Sequence, residues 1–271
     1  MDGRSLDSST VDDIMVLLSG SIPKDFLGGI IFIIQQNYQL YLEGIKYTLI
    51  ISISGTILGL LLALFITVFR VQESDLRDSI MQRIVKRISV IVSSSYVEFF
   101  RGTPMIVQAA IFFYGLAMLG VRLPILLAGV IIVTLNTAAY LTEVLRAGIN
   151  SIDKGQMEAA RAIGLTRGQS FRFIIFPQAI KNMIPAIGNE LVVNIKDSAV
   201  LSVIGVSELF YMGKSVAGTY YRYTESFVTV ALIYLILVLI TTRILTLIVR
   251  FTNSGNKMTF PSSQSVPVEV T

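Results

Sequence analysis

Two groups of residues in this 271-residue chain have the types and spacing to do chemistry, and the first is a row of polar residues in an apolar stretch. Glu190, Asn194 and Ser198 recur every four residues, so a helix places them near one face. Asp197 follows Glu190 by seven residues and joins that face. Their side chains can bind an ammonium group or another cation. Placing an ionisable side chain in the core of a membrane costs about 3 kcal/mol of free energy, unless the side chain faces a cavity, a partner or the aqueous edge of the membrane.

This polar row predicts the lining of a translocation pathway, in which Glu190 or Asp197 meets the substrate. A second polar position is Thr103, because Pro104 removes a backbone donor and breaks its helix, and broken helices often line substrate cavities. The alternatives are a structural ion pair for the row and a simple kink for Thr103. The predicted pathway residues are Thr103, Asn189, Glu190, Asn194, Asp197 and Ser198.

The second group is the polar sequence QMEAARAI at 156–163, followed by Gly164. It consists mainly of strong helix formers, and Gly164 supplies a helix stop. Because a two-turn helix is marginal alone in water, packing must hold it. Ala159, Ala160 and Ile163 predict a small-residue face that fits a groove on a partner; the alternative is packing on its own bundle. The predicted docking residues are Gln156, Glu158, Ala159, Ala160, Ile163 and Gly164.

Composition excludes several kinds of chemistry. The chain has no Cys and no His, which excludes disulfides, thiol catalysis, Cys/His zinc sites and histidine acid–base catalysis. It has no GxxxxGK[ST] sequence, so we expect no ATP hydrolysis by this chain. We predict no catalytic residue, no metal site and no bound cofactor. The net charge of +4 does not indicate nucleic-acid binding, because the basic residues flank apolar runs.

The elements that position these groups are membrane-spanning helices. Hydrophobic residues make up 53% of the chain, charged residues only 15%, and the mean hydropathy is +0.71, so the chain is predicted to be an all-α polytopic membrane protein. The run 26–34 is too short to span and is predicted to lie in the interface. Gly55 and Gly59 predict close helix packing in the first span. The predicted spans are 44–69, 87–119 with a break at Pro104, 123–145, 186–206 and 226–249.

The positions of Lys and Arg predict the orientation. Thirteen of them lie in 70–87, in 146–181 and after residue 249, whereas six lie beside the opposite ends of the spans. Cytoplasmic loops are enriched in these residues. We therefore predict that the N-terminus is outside, that the C-terminus is inside, and that the polar sequence at 156–163 is cytoplasmic.

The polar sequence resembles the EAA loop of binding-protein-dependent ABC importer permeases. That pattern is EAA, three residues, Gly, nine residues and Ile-x-Leu-Pro. Glu158 to Ala160, Gly164, Ile174 and Pro177 match it, and Phe176 replaces Leu. VEFFRGTPMIVQ at 97–108, FPQAIKNMIPAIGNE and KDSAVLSVIGVSEL are similar to polar amino-acid permeases. The resemblance covers about 44–249.

The resemblance implies a type I ABC importer permease fold with five core transmembrane helices, in a bacterial cell membrane. It implies a permease subunit that carries polar amino acids, with the helix at 156–163 docked on a cytoplasmic ATPase dimer that uses ATP and Mg. The other implied partners are a second permease copy or a sibling permease, and an extracellular amino-acid-binding protein. An ATP-independent secondary transporter or channel is the alternative.

The resulting division of the chain has three parts. Residues 1–43 are predicted to be an extracellular or interfacial segment. Residues 44–250 are predicted to form the permease domain, with the coupling loop at about 150–180. Residues 251–271 are rich in Ser and Pro and predict a disordered cytoplasmic tail.

Overall fold

The structure is a computed structural model that describes Pro23 and residues 25–70 and 79–253. Within these ranges the chain is helical and contains no strand, which confirms the predicted all-α fold. The helices are α1 Phe26–Arg70, α2 Ile80–Gly102, α3 Met105–Met118, α4 Ile125–Asn150, α5 Lys154–Ala162, α6 Arg167–Ser170, α7 Phe176–Asp197, α8 Leu209–Tyr220 and α9 Tyr223–Asn253. A π-helical segment, Phe171–Ile175, joins α6 to α7, and a 3-10 segment, Ser198–Ile204, follows α7.

The described helices account for the five predicted spans in three different ways. By length and composition, α1, α4 and α9 are each able to cross a membrane. The helical stretch Arg167–Ile204 and helix α8 are long and apolar enough to cross a membrane only when taken together, and their axes are bent by 55° relative to each other. The fifth predicted span corresponds to α2 and the shorter apolar helix α3, which do not reach that standard.

The first helix begins much earlier than predicted. The apolar run 26–34 belongs to α1, and Ile33 is fully buried in a cluster with Leu209 and Val230. The interfacial position of this run stays a prediction, whereas the helix start expected at residue 44 is not found, because α1 continues through it. The polar residues that follow the run interrupt the helix at a kink, since Asn37 has non-helical backbone angles and its side chain donates to the Ile33 carbonyl at 3.0 Å. The predictions for 1–22 and 254–271 lie outside the described residues.

The predicted break at Pro104 is confirmed and has its own side-chain cap. Pro104 has no amide proton for the carbonyl of Phe100, four residues earlier. The side-chain amide of Gln108 donates to the carbonyls of Phe100 and Thr103, at 2.9 Å each. Asn136 of α4 donates in turn to the Gln108 side-chain oxygen at 2.9 Å. The backbone carbonyls that lose their helical hydrogen bonds at the break thus accept hydrogen bonds from a side chain instead.

The two glycines of α1 pack inside the protomer. A Cβ on Gly55 would lie 2.4 Å from Val133, and one on Gly59 would lie 2.8 Å from Thr137. Small residues let two helix backbones approach closely. The GxxxG sequence therefore forms the seam between α1 and α4 of one chain.

A buried carboxyl group organises the turn into α8. Glu208 is fully buried, and its two oxygens accept from the backbone amides of Phe210 and Tyr211 at 2.8 and 2.7 Å. The hydroxyl of Tyr234 in α9 donates to it at 2.8 Å. Glu208 is therefore the N-cap of α8 and also ties this helix to α9.

We expect Glu208→Ala to lower the free energy of unfolding of the detergent-purified protein by about 3 kcal/mol, because three partly buried donors lose their acceptor. Glu208→Gln should lie in between, since an amide oxygen still accepts. Thermal unfolding measures both, with Glu158→Ala as the control because Glu158 is exposed. An unchanged unfolding midpoint for Glu208→Ala would contradict the capping role.

Candidate functional site

Helix α5 is a short, well-terminated helix at the predicted cytoplasmic end of the bundle. Asp153 caps its start by accepting from the Gly155 amide at 2.7 Å. At its end the chain turns back, so that the amide of Leu165 donates to the Ala160 carbonyl at 3.2 Å. This turn requires a left-handed residue, and Gly164 has φ +89°. The predicted helix and its glycine stop are both present.

The predicted docking residues do not share one face. Ala160 is only 4% exposed, whereas Ile163 is 78% exposed. The prediction that Ala159, Ala160 and Ile163 form a single small-residue face is therefore wrong. Neighbouring residues on a helix point about 100° apart, so Ala159 and Ala160 separate. The outward surface of the loop, named the docking surface below, consists of Gln156, Glu158, Ala159, Ile163 and Gly164.

The docking surface is joined to helix α7 by a short stretch of chain. From α5 the chain passes through α6 and the π-helical segment directly into α7, and Ser170 and Ile175 anchor this connection in the interior. An open cavity of about 1080 Å³ separates part of the loop from the ends of α1 and α4. Helix α5 is therefore connected to α7 by a short stretch of chain that is partly buried.

Helices α4 and α7 run antiparallel in a register that two contacts define. In the first contact, the side chains of Thr137 in α4 and Asn194 in α7 are hydrogen-bonded. The second contact joins Gly148, eleven residues later in α4, to Met183, eleven residues earlier in α7, because a Cβ on Gly148 would meet the Met183 side chain. Counting in this register places Glu190 level with Leu141.

Beside Tyr140 lies an exposed cation. The Arg101 guanidinium group of α2 is 5.5 Å from the centre of the Tyr140 ring, which is itself exposed. Arg101 and Tyr140 thus bring a guanidinium group and an aromatic face together, and we name this pair the polar groove. A guanidinium group suits a ligand that carries a carboxylate.

Comparison with known proteins identifies the family of this chain. Residues 79–254 match the family model described as "Binding-protein-dependent transport system inner membrane component". The chain belongs to this family. It is therefore a permease subunit of an ABC transporter, a multi-pass membrane protein whose family implies an ATPase partner and a permease partner.

Among its relatives, the permease is 38% identical to the arginine transport system permease protein ArtQ of Bacillus subtilis. That match covers 74% of this chain and 87% of the relative. It is 35% identical to the probable glutamine ABC transporter permease protein GlnM of the same organism, over 76% of this chain and 89% of the relative.

Solved structures agree on the architecture. The permease superimposes with a TM-score of 0.73 and 36% identity on a chain of an amino acid ABC transporter solved with histidines, covering 84% of this chain and 99% of that one. An inward-facing methionine transporter, MetNI, gives a TM-score of 0.65 at 22% identity, over 79% and 97% of the two chains, and shows the fold alone. The predicted type I importer permease fold is confirmed.

The predicted polar row of the permease divides between two surfaces. Asn194 is 3% exposed, and its amide donates to Thr56 at 2.8 Å and to Thr137 at 2.9 Å. Ser198 is fully buried. Both therefore lie inside the protomer, and the prediction that one face carries the whole row is wrong. Residues four apart on a helix differ by about 40° in direction, so the row turns inward from Glu190, whereas Asn189 and Asp197 stay exposed.

Thr103 is engaged in the helix break of the permease. Its hydroxyl group donates to the Phe99 carbonyl at 2.8 Å and accepts from Gln108 at 2.8 Å. Its polar atoms thus stabilise the kink, which was the alternative interpretation of this residue.

Sequence reasoning assigned no role to four residues that the structure brings into prominence: Arg101, Gln108, Tyr140 and Glu208. An arginine in the middle of a predicted span was the available signal for Arg101. A glutamine four residues after a helix-breaking proline was the available signal for Gln108. Nothing in the local sequence placed Tyr140 beside Arg101.

Proposed function

We propose that this permease is the membrane subunit of an ATP-driven importer for polar amino acids, and that the polar groove binds the amino acid during its passage. The groove carries this proposal, because an amino acid is a zwitterion. Its carboxylate fits the Arg101 guanidinium group beside Tyr140, and we assign its ammonium group to the Glu190 carboxyl group of α7. The names of the relatives, which include arginine and glutamine systems, support this class of substrate.

The coupling part of the proposal rests on the docking surface. A cytoplasmic ATPase dimer, which uses ATP and Mg, docks on Gln156, Glu158, Ala159, Ile163 and Gly164. When ATP closes the dimer, α5 moves and carries α7 with it through the continuous chain. Since α7 holds Glu190, this motion displaces a residue that we assign to the substrate. The chain itself binds no cofactor in this proposal.

The remaining partners follow from the same proposal. A second copy of this permease or a sibling permease completes the pathway, and an extracellular amino-acid-binding protein delivers the substrate. The bacterial cell membrane holds the complex with the N-terminus of this chain outside and its C-terminus in the cytoplasm, in agreement with the positions of Lys and Arg.

Uptake into proteoliposomes tests the function. The permease, co-purified with its ATPase and supplied with the binding protein, should accumulate a radiolabelled polar amino acid only when ATP is present on the ATPase side. Competition by each of the other amino acids then identifies the substrate. Uptake that follows a proton or sodium gradient without ATP would contradict the proposal and favour a secondary transporter.

A further inference from the structure

The outward face of the last helix, α9, differs from every packed seam of this permease. The apolar window of α9 has no buried residue. Most of its exposed side chains are long and aliphatic: Leu232, Leu235, Ile236, Leu239, Ile240, Ile244, Leu247 and Ile248. Ala231, Thr242 and Thr246 are exposed among them. Helix seams in membranes favour small residues, as Gly55 and Gly59 show in α1. The composition of this face therefore suits acyl chains.

Arg243 stands in the middle of this aliphatic face. Leu245, two residues later, contacts Gly188 of α7 and marks the inner side of α9. Two residues correspond to about 200° of helical rotation, so Arg243 points away from the bundle, and it is exposed. No side chain in the described part of the chain forms an ion pair, hydrogen bond or ring contact with it.

A second arginine lies on the same side of the helix. Arg250 follows Arg243 by seven residues, which is about two turns and about 10 Å along the axis. It is also exposed and lies near the end of α9 that the proposed orientation puts at the cytoplasmic surface. The long Arg243 side chain can extend toward that surface while its stem stays among the aliphatic residues. The two guanidinium groups thus flank the headgroup level of the cytoplasmic leaflet.

We propose that Arg243 and Arg250 bind the phosphate headgroup of an anionic phospholipid, whose acyl chains lie along the aliphatic face of α9. Arginine binds phosphate oxygens through two parallel hydrogen bonds, and the cytoplasmic leaflet carries anionic lipids. The acyl chains run from the headgroup toward the middle of the bilayer, where Ile236, Leu239 and Ile240 lie on the same helix. This proposal rests on the orientation given under the proposed function.

Binding of phosphatidylglycerol to the detergent-purified complex, followed by native mass spectrometry, tests the site. A basic residue near the membrane surface contributes about a fivefold preference for anionic lipid. We therefore expect Arg243→Leu and Arg250→Leu each to weaken phosphatidylglycerol binding about fivefold, and Arg243→Lys to weaken it less. Arg122→Leu is the control, because Arg122 is an exposed arginine at the other end of the bundle and should leave binding unchanged.

Two results would overturn the lipid site. The first is equal binding of phosphatidylglycerol and phosphatidylcholine by the wild-type complex, or unchanged phosphatidylglycerol binding when both arginines are replaced by leucine. The second uses Arg243→Cys, which introduces the only cysteine of this chain: a disulfide-linked permease dimer would show that α9 faces a second copy. Neither readout depends on transport. Loss of the lipid site with normal ATP-driven uptake would leave the proposed function intact.

Discussion

Gly164→Asp is expected to abolish ATP-driven amino-acid uptake while the permease still folds and inserts. Gly164 has φ +89°, a region that aspartate tolerates better than most residues, and no atom lies within 4 Å of an added Cβ. The new side chain therefore points away from the chain, into the proposed interface with the ATPase. An unpaired charge buried there costs about 3 kcal/mol, which is about a hundredfold in docking affinity.

The measurement pairs uptake in proteoliposomes with co-purification of the ATPase. Gly164→Asn is the neutral comparison, because asparagine has nearly the same shape and also tolerates the left-handed region, so it should keep most of the uptake. Gly120→Asp is the matched control for the backbone, since Gly120 has φ +82° and equally open surroundings at the opposite end of the bundle. If Gly164→Asp takes up amino acid at the normal rate, α5 does not couple transport to the ATPase.

Arg101→Gln is expected to reduce uptake about a hundredfold at low substrate concentration. The substitution keeps a polar side chain but removes the charge that the proposed zwitterion site offers to the carboxylate. A hydrogen bond to a charged group contributes about 2–3 kcal/mol, and 1.4 kcal/mol corresponds to a factor of ten. Glu190→Ala should have a similar effect through the ammonium group.

Three controls separate binding from a structural effect. Tyr140→Phe keeps the aromatic face and should transport nearly normally, and Arg122→Gln removes a cation outside the polar groove. The thermal unfolding midpoint of Arg101→Gln should match that of the wild type, because Arg101 is exposed and forms no ion pair with another described residue. Normal uptake by Arg101→Gln, Glu190→Ala and Asp197→Ala would show that these residues do not bind the substrate.

The sequence determined those features of this permease that have local causes. The break at Pro104 follows from a missing amide proton, and the end of α5 at Gly164 follows from a turn that needs a left-handed residue. Most spans were recognised because long apolar runs are insoluble in water. The start of α1 was predicted at residue 44, whereas helical structure extends back to Phe26 across a kink at Asn37, where polar residues interrupt the apolar run.

The tertiary structure alone decided which way each polar side chain points and what it meets. A helical period fixes the angle between Glu190 and Asn194, but the positions of α1 and α4 decide that Asn194 is buried between Thr56 and Thr137. Likewise, Gly55 and Gly59 indicate a close contact without naming its partner, which is α4 of the same chain. Arg101 and Tyr140 are far apart in sequence, and only helix packing makes them neighbours. The physical reason is that periodicity sets relative directions along one helix, whereas contacts between helices depend on their rotation and register.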